Sequence, residues 1–287
     1  MRELQNTLRR ALSPVYAADE LPTVVKALCC ELLGVSEWAY YLKDPVTLSE
    51  AQQHALSDAV QRLRQGEPLQ YVLGTSPFAG EELAVDGRVL IPRPETAGLV
   101  RLAAQQLEAM PGAPHRVLDL GTGSGCIAIA LARAVPGAAV YGCDVSADAL
   151  AVAAANAQRS GAGVHFFPFD MLSPSALPAT GFSCLVSNPP YIRRCERAYM
   201  DERVTRWEPP LALFVPDADP LLFYRAVAQL GQTDALLPGG TVCVEINQLY
   251  GFETCTLFEL YGYRDVRLSY DLFGQPRFVT CRKEFYN

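Results

Sequence analysis

The chain has 287 residues, half of them hydrophobic, and a formal net charge of −7. That length supports one large core with a smaller companion, and no apolar run reaches the length of a membrane span. The charge is spread over both parts, seven Lys and Arg against nine Asp and Glu in residues 1–75 and 17 against 22 beyond, which excludes the basic field of a sequence-independent nucleic-acid binder.

The chain opens on "MRELQNTLRR", which lacks the apolar run and small-residue cleavage site of a secretory signal, so a cytoplasmic location is expected. Residues 1 to about 75 have a helical texture. In "DELPTVVKALCCELLG" Asp19 precedes a helix and Gly34 follows it. "LSEAQQHALSDAVQRLRQG" pairs Ser49 as N-cap with Gln52, a capping-box pattern, and Leu56, Val60 and Leu63 recur at helical spacing before Gly66 and Pro68. These features predict a small all-α bundle. Nothing in its own residues distinguishes a stabilising role from a functional one.

"PLQYVLGTSPFAGEELAVDGRVLIP" changes character. Tyr71–Leu73 and Leu83–Val85 are expected as short strands, with turns at Gly74, Pro77, Gly80 and Asp86-Gly87, together a hairpin linker. "RPETAGLVRLAAQQLEAMPG" is then a helix stopped by Pro111 and Gly112, with Thr96 placed to cap it. From residue 116 strands and helices alternate: "RVLDL", a helix from about Ser124, "AVYGCDV", a helix from Ala147, "VHFFPFD" and "FSCLVSN". After residue 220 come a helix, "TVCVEIN", another helix, and two closing strands, "DVRLSYD" and "RFVTCRK". Such alternation predicts an α/β fold, a mostly parallel sheet covered on both faces with an antiparallel hairpin at its edge.

Nine cysteines without a C-x-x-C pair, several in apolar segments (Cys126, Cys143, Cys184, Cys243), point to reduced, buried thiols. His54, His115 and His165 are scattered and lack metal-ligand spacing, so no metal is expected.

Ligands of open α/β sheets bind beyond the carboxyl ends of the strands, so the strand tips carry the functional reading. The first tip, "DLGTGSG", spans Asp119 to Gly125 and offers Gly121, Thr122, Gly123, Ser124 and Gly125 as a loop that backbone-lined ligands can approach. Its G-x-G-x-G spacing differs from the G-x-G-x-x-G of dinucleotide folds, which weakens a nicotinamide reading. The second tip places Asp144 where a ribose-binding acid belongs, with a helix cap centred on Ser146 as the competing explanation. At the third tip, Asp170 and Met171 suit an adenine, the acid toward its amine and the apolar residue on its face; a turn-forming Asp serves equally.

The fourth tip is "SNPPYI". Asn188 offers a side-chain carbonyl and Pro189 a backbone carbonyl, two acceptors for the two hydrogens of a planar –NH2 group. Tyr191 can stack on that group, and Pro189 and Pro190 stiffen the corner. Such a grip turns the nitrogen lone pair toward an electrophile. With adenosine-like tips beside it, the electrophile expected is a sulfonium methyl. A plain turn after a strand is the alternative for Asn-Pro-Pro taken alone.

In "IPRPET", Arg93 is balanced between meeting a substrate and pairing with a carboxylate. Glu245, at the fifth tip, is read as a polar strand end. "RRCERAYMDERVTR", residues 193–206, reads as a charged loop, either a solvated surface or a lid.

Taken together, "PLQYVLG", "LIPRPET", "DLGTGSGCIAIALA", "SNPPYI", "RWEPPLAL" and "DLFGQPRFV", in that order, resemble the peptide chain release factor glutamine methyltransferases. The match runs from about residue 68 to the C-terminus. The resemblance implies a class I S-adenosylmethionine-dependent methyltransferase domain, Rossmann-like with a seven-stranded mostly parallel sheet, behind the helical bundle. It further implies N5-methylation of the glutamine in the Gly-Gly-Gln motif of bacterial release factors, with S-adenosyl-L-methionine as cofactor and S-adenosyl-L-homocysteine as product. Carried onto this chain, Gly121 to Gly125 correspond to the cofactor loop, Asp144 to the ribose acid, and Asn188 to Tyr191 to the glutamine clamp. The position of Met171, often aromatic in the family, is an adenine-side contact.

The expected organisation is a helical substrate-recognition domain over 1–75, a β-hairpin linker over 76–92 and a catalytic domain over 93–287. A monomer is expected, with a release factor as protein substrate, and no membrane or direct nucleic-acid partner. A glutamine methyltransferase of a ribosomal protein and, further off, an adenine-N6 nucleic-acid methyltransferase are the competing functions.

Overall fold

The computed structural model describes residues 1–112 and 114–284. Its chain forms two compact units, one of Met1–Thr75 with Asp201–Trp207, the other of Ser76–Met200 with Glu208–Asn287.

The first unit is helical: α1 (Arg2–Leu12), α2 (Leu21–Ala27), α3 (Glu37–Leu42), α4 (Glu50–Arg64) and α5 (Leu69–Leu73). Leu8, Leu12, Val25, Leu28, Leu56 and Leu63 meet in its core. A π-turn over Leu28–Leu32 continues α2, which helical spacing alone does not announce. The capping box of α4 is present: Ser49 Oγ accepts from Gln52 N at 3.2 Å and Gln52 Oε1 from Ser49 N at 3.0 Å. Tyr71–Leu73, expected as a strand, is the end of α5. Pro68 sets an extended N-cap at φ −57° and Gly74 a left-handed stop at φ +77°, and those two residues fit a single helical turn between them.

The expected charged loop at 193–206 is also ordered. It comprises β7 (Ile192–Arg193), a 3-10 turn at Arg194–Tyr199 and α9 (Glu202–Trp207), and β7 pairs in parallel with β8 (Phe214–Val215). The helix α9 belongs to the helical unit, where Arg203 pairs with Glu20 at 3.2 Å and lies over the Tyr16 ring at 5.1 Å. Local charge density hid this, because an Arg that packs on a ring looks the same in sequence as a solvated one.

The second unit starts at Ser76, within the hairpin of β1 (Thr75–Phe78) and β2 (Glu81–Ala84), which α6 (Ala97–Glu108) follows. Then come β3 (Arg116–Leu120), α7 (Cys126–Ala134), β4 (Ala139–Asp144), α8 (Ala147–Ser160), β5 (Val164–Pro168) and β6 (Phe182–Ser187). After β7, α9 and β8 the chain adds α10 (Leu222–Gln232), β9 (Leu236–Glu245), α11 (Gly251–Leu260), β10 (Arg264–Tyr270) and β11 (Pro276–Arg282).

The main sheet has seven strands in the order β10-β11-β9-β6-β3-β4-β5. Pairs among β9, β6, β3, β4 and β5 are parallel, and β11 runs antiparallel to both β9 and β10. This is the mostly parallel sheet with an edge hairpin that the alternation predicts. Every residue of β6 is buried, as a strand covered on both faces requires. One core gathers Leu99, Leu107, Val117 and Leu131 with the α6–α7 face, and the other Leu118, Phe182, Tyr224 and Phe258 with the α10–α11 face. The register aligns Leu120 with Cys143 and Ser187, so the parallel strands end at one level.

Candidate active site

At that level the strand tips are stitched together by backbone and short side chains. Gly121 and Thr122 N–H groups both donate to the Cys143 carbonyl at 2.9 Å, Phe169 N donates to the Asp144 carbonyl, and Ser187 Oγ donates to the Leu120 carbonyl at 2.6 Å. Beyond them opens a cleft with a volume of about 140 Å³. Its lining includes Gly121, Thr122, Gly123, Ser124, Asp144, Asp170, Met171, Asn188 and Pro190, so residues singled out from four separate tips share one wall. Pro189, Gly125 and Tyr191 are not part of that lining.

The glycine loop is built for close approach. Gly121, Gly123 and Gly125 all take left-handed backbone, at φ +73°, +55° and +82°. At Gly125 a side chain is excluded twice over, since a Cβ would stand 3.2 Å from the Ala153 Cβ and 3.3 Å from the Ile129 Cδ1.

Asp144 and Ser146 take separate parts. Ser146 Oγ caps α8 by accepting from Ala149 N, while Asp144 Oδ1 accepts from Ser146 N at 2.9 Å and Oδ2 from Gly123 N at 3.0 Å. Burial pushes the Asp144 carboxyl above the usual range, and the backbone N–H donors of Ser146, Gly123 and Val145 pull it back. Each oxygen has capacity for a further hydrogen bond, and Asp144 is part of the cleft lining. Asp170 Oδ1 accepts from Leu172 N at 2.8 Å, the turn-forming alternative, and still lines the cleft beside Met171.

Asp119 carries a signal that the sequence reading passed over. It is fully buried, its Oδ2 accepts from Thr122 Oγ1 at 2.6 Å, and among the described residues its Oδ1 has no partner in good hydrogen-bond geometry. Burial raises its carboxyl to about 7. Ser124 Oγ, buried in the same loop, likewise has no partner in good hydrogen-bond geometry among the described residues. An acid closing a central strand just before a glycine turn is the pattern that flags such a residue.

At the Asn-Pro-Pro-Tyr corner, Asn188 Nδ2 donates to Thr96 Oγ1 at 3.3 Å. Neither Asn188 Oδ1 nor the Pro189 carbonyl takes part in a hydrogen bond among the described residues, which leaves two adjacent acceptors. Tyr191 is fixed from both ends. Its carbonyl accepts from Asn247 Nδ2 at 3.1 Å and its hydroxyl donates to Glu245 Oε1 at 3.1 Å. Burial first, and the Glu245 carboxylate second, push the Tyr191 phenol far above its ordinary range, so it stays protonated.

Two sequence expectations are corrected here. Thr96 is not a side-chain cap: its hydroxyl donates to Glu245 Oε2 at 2.7 Å instead of turning to the α6 backbone. Glu245 is more than a polar strand end, being buried with both oxygens engaged, by Thr96 and by Tyr191. For Arg93 the carboxylate is found: Glu208, almost wholly buried, accepts from Arg93 Nη2 at 2.5 Å and from Ile91 N at 3.1 Å. Arg93 also lines the cleft.

Among the described residues no group of three or more His, Cys, Asp or Glu is placed to hold a metal ion, and no helix is long and apolar enough to cross a membrane.

Comparison with known proteins gives two family matches, the PrmC N-terminal domain over residues 3–74 and the methyltransferase small domain over residues 100–203. The release factor glutamine methyltransferase of Bacteroides thetaiotaomicron is 41% identical over 283 residues, covering 99% of this chain and 100% of its own. That of Chlorobaculum tepidum is 39% identical over 274 residues, covering 92% of this chain and 90% of its own. A methyltransferase crystal structure from Pyrococcus furiosus shares the fold at 15% identity and a TM-score of 0.51, over 80% of this chain and 100% of that one.

Proposed function

The chain belongs to the release factor glutamine methyltransferases, and from that premise we propose that it methylates N5 of the glutamine in the Gly-Gly-Gln motif of bacterial peptide chain release factors, with S-adenosyl-L-methionine as methyl donor. The observation that carries the reading is the pair of unengaged acceptors, the Oδ1 of Asn188, a residue of the cleft lining, and the carbonyl of Pro189 next to it in the chain.

Support for the cofactor comes from the other tips. The left-handed glycine loop leaves open backbone, and Asp144 retains lone pairs for ribose hydroxyls. Asp119 Oδ1 and Ser124 Oγ are buried polar atoms that a bound ligand or its water can satisfy. Met171 and Phe169 supply apolar lining for a base. S-adenosyl-L-methionine, when bound, supplies a methyl group on a sulfonium, which needs no metal and no covalent enzyme intermediate.

The chain's own residues then have one task, which is to make a poor nucleophile ready. A carboxamide nitrogen shares its lone pair with the carbonyl. Asn188 Oδ1 and Pro189 O accept its two hydrogens and hold the nitrogen pyramidal, with the lone pair aimed across the cleft. Pro189 and Pro190 restrict the backbone of that corner, so little reorganisation remains when the amide arrives. Tyr191 limits how deep the planar group can sit. The glycine loop, Asp144 and Met171 would hold the donor, whose methyl group would pass from sulfur to the amide nitrogen, and the nitrogen would then release one proton to solvent.

We assign the helical unit, 1–75, to holding the protein substrate, the 76–92 hairpin to linking, and the remainder to catalysis. The test is mass spectrometry of a bacterial release factor incubated with the enzyme and S-adenosyl-L-methionine. One added methyl on the Gly-Gly-Gln glutamine is the expected result. Methylation of a ribosomal-protein glutamine or of adenine alone would overturn it.

A further inference from the structure

Asn188 can face an incoming amide in two ways. With Oδ1 toward the cleft it accepts a hydrogen from the substrate –NH2; with Nδ2 toward the cleft it sets donor against donor. The two orientations have nearly the same shape, so packing does not choose between them. Something with a defined donor and acceptor sense must.

That sense is supplied from the opposite side of the sheet level. Glu245 is buried at the tip of β9, and a carboxylate can only accept. Thr96, which precedes α6, spends its single hydroxyl hydrogen on Glu245 Oε2 at 2.7 Å. The threonine oxygen can therefore offer Asn188 nothing but a lone pair, and Asn188 Nδ2 donates into it at 3.3 Å. The second Glu245 oxygen takes the Tyr191 hydroxyl at 3.1 Å. One buried carboxylate thus orients both side chains of the corner.

Its charge is supported rather than isolated. Burial raises the Glu245 carboxyl above its ordinary range, and the Thr96 and Tyr191 hydroxyl donors, with Arg277 held by Asp271 at 3.0 Å, pull it back toward the ionised form. We propose that Thr96 and Glu245 are positioning residues that lock the Asn188 carboxamide with its oxygen toward the substrate amide, through the one-way chain Asn188 to Thr96 to Glu245. The chain also polarises the Asn188 amide, which strengthens Oδ1 as an acceptor. This inference rests on the function proposed above and adds the residues that set the clamp's polarity.

The test compares wild type, Thr96→Val, Thr96→Ser, Asn188→Ala and the Thr96→Val/Asn188→Ala double variant, with a release factor and S-adenosyl-L-methionine as substrates. Val keeps the shape of Thr and removes the hydroxyl. Thr96→Val is expected to lower kcat by about 10²-fold, the scale of a misoriented catalytic group, with KM and cofactor Kd unchanged. Thr96→Ser should restore turnover. In the Asn188→Ala background Thr96→Val should cause no further loss, because its effect passes through Asn188. Should Thr96→Val fail to fold, Thr96→Ala removes the same hydroxyl without setting a methyl against the carboxylate. Unchanged kcat in the hydroxyl-free variant, failure of Ser to rescue, or full additivity with Asn188→Ala would each overturn the proposal. A wild-type enzyme that leaves the release factor unmethylated would instead refute the function itself.

Discussion

Arg93 and Glu208, 115 residues apart in the chain, form an ion pair at 2.5 Å whose carboxylate is almost wholly buried. The pair joins "LIPRPET" to "RWEPPLAL", two sequence blocks with no visible reason to depend on each other. Glu208 also accepts from Ile91 N, so it anchors the chain that leads into Thr96.

Arg93→Ala leaves that carboxylate buried without its cation. A loss of about 2–3 kcal/mol is expected, read as a lower urea midpoint. Arg93→Ala combined with Glu208→Gln should recover part of it. A midpoint that does not move in Arg93→Ala would mean the pair is incidental.

Gly125→Ala meets two obstacles, a backbone at φ +82° and a Cβ 3.2 Å from Ala153. It should destabilise by about 1–3 kcal/mol. Gly163→Ala, with ordinary backbone and nothing within 4 Å of the new Cβ, is the control and should change the thermal midpoint little.

Asp119 has a carboxyl raised from 3.8 to about 7 by burial. The folded state therefore holds a proton that the unfolded chain has released. The stabilisation is complete below about pH 4 and is lost as pH rises through 7. Urea midpoints at pH 5 and pH 8 should fall more steeply for wild type than for Asp119→Asn. Parallel slopes would contradict the assignment.

Asp144→Ala should weaken S-adenosyl-L-methionine binding by about 1.5–3 kcal/mol, the range for a charged hydrogen-bond partner. Isothermal calorimetry reads this directly. Unchanged affinity would remove Asp144 from the ribose role, leaving it as the holder of the Gly123 and Ser146 N–H groups.

Much of this fold was legible because its signals are local. The capping box at Ser49 and Gln52, the alternation from Val117 to Ser187 and the G-x-G-x-G turn each lie within a few residues. The edge hairpin followed from two strands without a helix between them. The failures also have a physical cause. Tyr71–Leu73 carries strand-like residues, yet Pro68 and Gly74 enforce a helical turn. Thr96 looked like a cap until Glu245, 149 residues away, claimed its hydroxyl. Asp119 looked like the start of a glycine loop, and only its complete burial distinguishes it. Pairings across more than a hundred residues leave no trace in local spacing, and they determine the polarity of the site.

The central claim is that the Asn-Pro-Pro-Tyr corner readies an amide nitrogen and does not hold the cofactor. Asn188→Ala tests it most directly, by single-turnover methylation of a release factor alongside calorimetry of S-adenosyl-L-methionine. The account predicts a fall in the transfer rate of about 10²–10³-fold, the scale of a lost transition-state contact, with cofactor affinity preserved. A variant that transfers at the wild-type rate but binds the cofactor poorly would contradict it.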